Sequence, residues 1–158
     1  MDQPFHSVLD VPVNGGTLAV AVSGPASGAP VLLGVHGITG SHRAWTAVAR
    51  HLGDDITFVA PDLRGRGASQ LPGPYGLSAH VEDLVAVLDH VGAAAGSGTP
   101  LTPGASGTPR TPGASGTPRT PGVVLAGHSM GAYIVARLAA AHLARTAGVA
   151  LVDGGLVL

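Results

Sequence analysis

Ser129 is the residue best placed in this chain to do chemistry. It sits in Gly127-His128-Ser129-Met130-Gly131, after the apolar run Val123-Val124-Leu125-Ala126 and before an alanine-rich helical pattern. Gly-x-Ser-x-Gly between a strand and a helix predicts a sharp elbow that strains the serine backbone to positive φ and exposes its hydroxyl at the strand end. Side chains two residues to either side would collide in such a turn, so Gly127 and Gly131 are expected there for steric reasons. The free N–H groups and dipole of the following helix N-terminus favour an oxyanion. A serine so placed is a candidate nucleophile for acyl transfer.

Two further stretches lie at the ends of apolar runs. His36-Gly37-Ile38-Thr39-Gly40-Ser41 follows Val31-Leu32-Leu33-Gly34-Val35, and residues 62–69 (Asp-Leu-Arg-Gly-Arg-Gly-Ala-Ser) follow residues 56–60. Functional groups of open parallel sheets collect at the carboxyl ends of strands, so these two loops and the elbow are expected on one face.

A nucleophilic serine needs a base, and the base needs an orienting acid. After Ser129 the chain offers only His142 and Asp153. His142 is expected well inside the helix after the elbow, on a face that leads away from it. The tight turn is expected to send the side chain of His128 away from Ser129, so neither histidine reads as the base. Asp153 ends the strand after that helix, where an aspartate is a common loop starter. His36 reads as support for its loop. His6, His42, His51, His80 and His90 read as surface or helix-face residues. No pair has metal-ligand spacing, so neither a metal nor a cofactor is expected.

The elements that must position these residues follow from the hydrophobic pattern. Residues 6–13 and 17–23 predict two strands around Asn14-Gly15-Gly16, a strong hairpin signal. The continuous apolar run at 31–35 predicts a strand buried on both faces. A helix is expected over residues 42–52 with Ala44, Trp45, Val48, Ala49 and Leu52 on its apolar face, which makes Trp45 core rather than a substrate platform. Another is expected from Ser78, a candidate N-cap, with Val81, Leu84, Val85, Leu88 and Val91 as its buried stripe. The elbow helix is expected to run to about residue 144, followed by a strand over 148–153. Alternating strands and helices predict an α/β fold: a mostly parallel sheet, helices on both faces, fronted by an antiparallel hairpin.

Residues 92–121 break the pattern. Thr-Pro-Gly-Ala-Ser-Gly-Thr-Pro-Arg at 102–110 recurs unchanged at 111–119. Such a segment has little to bury, so an insert at about 93–121 is expected to be disordered and dispensable for the fold.

The chain's 158 residues suggest one domain, and 45% apolar content is ample for a core. A net charge of −1 gives no electrostatic case for nucleic acid or an anionic membrane. Cysteine is absent, which excludes disulfides. The opening residues lack the pattern of a signal peptide, and no apolar run is long enough to span a membrane, so a cytoplasmic protein is expected.

Together, residues 36–41, 62–69 and 127–131 resemble the α/β-hydrolase family, in its esterase- and peptidase-like branch. The resemblance covers residues from about 6 to 155 apart from the repeat. It implies Ser129 as nucleophile, the backbone N–H groups of Met130 and Ile38 as the oxyanion hole, and a triad in the chain order Ser, Asp or Glu, His, in which Asp153 at the strand end is the candidate acid. His36, Gly37, Gly127 and Gly131 would be structural at the site, and the loop from Asp62 would turn tightly beside it. Dehalogenases and epoxide hydrolases of this fold carry aspartate at the elbow. A serine there implies a small-molecule ester, thioester, amide or carbon–carbon bond beside a carbonyl. The sequence resembles the front portion of such a domain, so a chain without the usual acid and histidine is expected to be inactive alone. The alternative is a non-catalytic small-molecule-binding module or pseudoenzyme of the same fold. Oligomeric state is left open.

Overall fold

A computed structural model describes residues 4–97 and 122–154. Its strands are β1 (Ser7–Val13), β2 (Gly16–Ser23), β3 (Val31–Val35), β4 (Thr57–Pro61), β5 (Val123–His128) and β6 (Thr146–Val152). Its helices are α1 (Thr46–Leu52), α2 (Leu77–Ser97) and α3 (Met130–Ala141), with 3-10 turns at His42–Trp45 and Leu143–Arg145. The expected hairpin forms as β1 and β2 in antiparallel register, from Ser7 opposite Val22 to Val13 opposite Gly16.

The strands make one sheet in the order β1-β2-β4-β3-β5-β6. β2 pairs antiparallel with β4, whereas the β4–β3, β3–β5 and β5–β6 pairs are parallel. This is the α/β architecture that the alternation of elements predicts. Central β3 places residue 36 beside the elbow, because Val35 pairs with Gly127.

Side-chain alternation along the strands divides the core in two. Leu33, Val35, Val59 and Leu125 face α2 and α3, packing on Leu84, Leu88, Ile134 and Leu138. Phe58, Ala60 and Ala126 face the opposite way, onto Trp45 and Ala49. Trp45 is a core residue, as its spacing predicts: its ring meets Phe58 edge-on at 5.9 Å. Gly34 makes room for this pair, since a Cβ there would lie 2.7 Å from the Phe58 ring.

Several boundaries differ from expectation. The first turn over 42–52 is 3-10, which rotates Ala44 and Val48 into solvent and leaves Trp45 and Ala49 buried. α2 starts at Leu77, so Ser78 lies within the helix rather than capping it, and Val87 joins the buried stripe. α2 also runs to Ser97, through three alanines that favour helix, past the expected start of the insert at 93. The repeats themselves fall at 98–121, outside the described residues. α3 stops at Ala141, and β6 starts at Thr146.

Candidate active site

The elbow has the expected geometry. Ser129 has φ 53° and ψ −120°, and its side chain makes no cap hydrogen bond to α3 although it occupies the N-cap position. The hydroxyl is therefore not committed to the helix it precedes. Ser129 is half-buried, and among the described non-glycine residues Asp153 shares its positive φ, at 50°. Backbone bonds pin the turn: Ser129 N–H donates to Val152 O at 2.9 Å, and Ala132 N–H donates to Ser129 O at 3.0 Å.

Both glycines are sterically required. A Cβ on Gly127 would lie 2.4 Å from Gly131 O, and one on Gly131 would lie 2.2 Å from Val35 O. These are backbone contacts that no rotamer change can relieve. Gly37 faces Ser129 directly, with its Cβ position 3.2 Å from the Ser129 Cβ.

The loop after β3 is held from beneath by His36, which is fully buried. Its Nδ1 lies 2.7 Å from Gly37 O, and its Nε2 accepts from Leu63 N–H at 3.0 Å. A carbonyl on one side and an N–H on the other select the neutral tautomer protonated at Nδ1. Burial pushes the His36 pKa below the usual histidine value, outweighing the Gly37 hydrogen bond. Gly37 O also accepts from Gly40 N–H at 3.0 Å, closing a turn with Ile38 and Thr39 at its tip. In a trans peptide C=O and N–H point in opposite directions, so fixing Gly37 O also fixes the direction of Ile38 N–H.

The loop after β4 braces this turn. Buried Asp62 accepts from His42 N–H at 2.6 Å, from Ala68 N–H at 2.8 Å, and meets His42 Nδ1 at 3.0 Å. Gly67, at φ 53°, leaves room for that carboxylate. Ser69 Oγ donates to Asp62 O at 2.7 Å and accepts from Ala19 N–H at 2.9 Å, tying the loop to β2. Arg64 forms a bidentate pair with Asp83 of α2, Nε to Oδ2 at 2.8 Å and Nη2 to Oδ1 at 2.7 Å, with both side chains buried. These hydrogen bonds raise the Arg64 pKa above its ordinary value.

The polar residues nearest the serine are more dispersed. His128 is half-exposed, and its Nε2 stands 4.0 Å from Oδ2 of the exposed Asp153. His142 is the C-cap of α3 rather than an interior helix residue. With 12 residues in the helix, it lies roughly 18 Å from the Ser129 end. Among the described residues no histidine hydrogen-bonds the Ser129 hydroxyl, and no group of three or more His, Asp or Glu side chains could hold a metal. No helix among them is long and apolar enough to cross a membrane.

Sequence reasoning missed four residues of this framework. His42 and His80 are not surface residues: His42 contacts Asp62, and His80 is buried on α2 with neither ring nitrogen bonded. Burial lowers the His80 pKa, and the nearby Arg66 charge adds to the shift. Asp83 and Arg64 form their pair across 19 residues of chain. An available signal was Asp83 itself, a charge inside the apolar stripe between Val81 and Leu84.

The model of the alpha/beta hydrolase family matches residues 31–158. The chain belongs to this family. Lipase LipV of Mycobacterium tuberculosis is 32% identical over 135 residues, which cover 85% of this chain and 41% of that protein. A thermophilic esterase from Thermogutta terrifontis superposes with a TM-score of 0.62 at 29% identity, over 92% of this chain and 44% of its own. Epoxide hydrolase A from Mycobacterium thermoresistibile superposes with a TM-score of 0.68 at 25% identity, over 92% and 38%. This α/β-hydrolase chain thus spans about two fifths of the length of such relatives. Their hydrolytic names cover both esters and epoxides, so substrate class must be argued from the site.

Proposed function

We propose that this chain carries the nucleophile half of a serine hydrolase acting on a small-molecule ester, thioester or amide by acyl transfer. The observation that carries the reading is the strained, uncapped Ser129 at the N-terminus of α3, with φ 53° and Gly37 against its Cβ. In this reading the Ser129 hydroxyl attacks the carbonyl carbon and releases its proton to solvent, and the resulting oxyanion takes hydrogen bonds from Met130 N–H and Ile38 N–H. Each such donor is worth about 3 kcal/mol of transition-state stabilisation. The oxyanion then collapses to the acyl-serine, breaking the bond to the alcohol, thiol or amine, which leaves protonated from solvent. The substrate relation of LipV and the esterase, inferred from their names, favours esters for this chain too. Asp153, at the carboxyl end of β6, is the proposed acid.

Among the described residues no histidine hydrogen-bonds the Ser129 hydroxyl. Acylation by the chain alone is therefore expected to be slow, resting on the oxyanion donors, which give about 10³–10⁴-fold over water. The same observation favours a second reading, a pocket that binds a small molecule without turning it over. Incubation of residues 1–158 with an activated short-chain ester, followed by mass spectrometry, separates the two. A slowly formed acyl adduct on Ser129, absent from Ser129→Ala, supports the hydrolase. Saturable binding with no adduct supports the binding module.

A further inference from the structure

Ile38 is 58% exposed and belongs to neither apolar cluster of the core. Its conformation must be held through the two peptides that flank it. The preceding one is fixed at Gly37 O by His36 and Gly40. The following one is fixed at Ile38 O by Arg66 Nε, at 2.7 Å across 28 residues of chain. Arg66 Nη1 donates in another direction, to Arg64 O at 2.9 Å, and the guanidinium lies 5.8 Å from the centre of the Tyr75 ring.

The base from which Arg66 reaches is itself rigid. Arg66 N–H donates to Leu63 O at 2.9 Å, and Ser69 N–H donates to Arg66 O at 2.9 Å. Tyr75 donates to Leu71 O at 3.2 Å and packs over Gly65, whose φ of 73° and missing Cβ make the room. The planar fork of an arginine fixes two acceptors at a set angle while stacking on a ring. A lysine supplies the charge without the fork.

We infer that Arg66 is a positioning residue for acyl transfer: by clamping Ile38 O it locks the backbone of residue 38, so that Ile38 N–H is held as an oxyanion donor. The inference rests on the acyl-transfer reading above. It goes beyond that reading in giving a side chain from the neighbouring loop a share in the donor geometry, through the peptide after Ile38, beside the hold of His36 and Gly40 on the peptide before it.

The test compares the chain with Arg66→Met and Arg66→Lys, measuring Ser129 acylation and the order of backbone amides by NMR. Removing the fork is expected to lower the acylation rate about 10- to 100-fold, the scale of a 1 Å misplacement, with half-saturating ester unchanged. Amide order parameters at Ile38 and Thr39 should drop from about 0.85 to below 0.6, with those of α3 preserved. The melting temperature should move by no more than about 2 °C. Lysine should not restore either signal. Unchanged order at Ile38 in Arg66→Met, or full recovery by lysine, overturns the inference. A parent chain that forms no Ser129 adduct refutes acyl transfer instead, and the amide order still decides whether Arg66 is the clamp.

Discussion

Replacing Gly131 with alanine tests whether close backbone packing sets the position of Ser129. The added Cβ would lie 2.2 Å from Val35 O and 2.8 Å from His36 O. Carbon–oxygen contacts between neighbouring backbone segments settle at about 3.3–3.6 Å, so the N-terminus of α3 must rise by about 1 Å from β3. Ser129 and Met130 sit at that terminus and move with it, while Val152 O holds Ser129 N–H from the other side. Overpacking of this kind costs about 1–3 kcal/mol. At about 2–4 °C per kcal/mol for a chain of this size, the melting temperature should fall by about 3–10 °C. Acylation of Ser129 should fall about 100-fold, because misplacement by 1 Å removes an attack geometry rather than a binding contact. Gly148→Ala is the control: its Cβ meets nothing within 4 Å in β6, and alanine should leave stability unchanged or slightly raised. Thermal denaturation followed by circular dichroism and mass-resolved acylation provide the two readouts. A Gly131→Ala protein that melts within about 1 °C of the parent and acylates at the parent rate would refute the steric account.

Four more outcomes follow from the framework. Arg64→Met leaves the Asp83 carboxylate buried and unpaired, so urea denaturation should show a loss of about 3–5 kcal/mol, and adding Asp83→Leu should recover part of it. Ser69→Ala removes the hydroxyl bridging Ala19 N–H and Asp62 O, with an expected loss of about 1–3 kcal/mol in the same assay. The folded-state pKa values of His36 and His80 both lie below the ordinary 6.5, so the unfolded chain takes up protons first as pH falls. Stability should therefore be full above pH 6.5 and decline below it towards the folded-state values, by at most about 1.4 kcal/mol per pH unit for each histidine. His80→Leu, which removes two unbonded buried nitrogens, should raise stability at neutral pH and flatten the acid limb in urea titrations.

The elbow was legible because its requirements are local. Gly127, Ser129 and Gly131 lie within five residues, and the contacts that forbid a Cβ come from the turn itself and the adjacent strand. The strands were legible for a similar reason: short continuous apolar runs at 31–35 and 123–126 fit strands of a covered sheet, and their inner residues Leu33, Val35, Leu125 and Ala126 are buried although Val124 is exposed. Trp45 followed from helical spacing, but Ala44 and Val48 did not, because the start of that segment is 3-10 and a change of pitch rotates the exposed face.

What the sequence could not disclose is how the loops grip one another. His36 meets Leu63 across 27 residues, Arg64 meets Asp83 across 19, and Arg66 meets Ile38 across 28. None of these pairs has a spacing rule: the first and third depend on β3 and β4 being parallel neighbours that end at the same edge, and the second joins the loop after β4 to α2. The sequence by itself determined the strand–elbow–helix unit, the hairpin and the two-faced sheet, because hydrophobic period and glycine sterics act over a few residues. Only the tertiary structure decided that a buried neutral histidine fixes one peptide of Ile38 and an arginine fixes the next. Side chains that read as surface along the chain become framework when the sheet brings two loop ends together, where polar groups withdrawn from water must find partners.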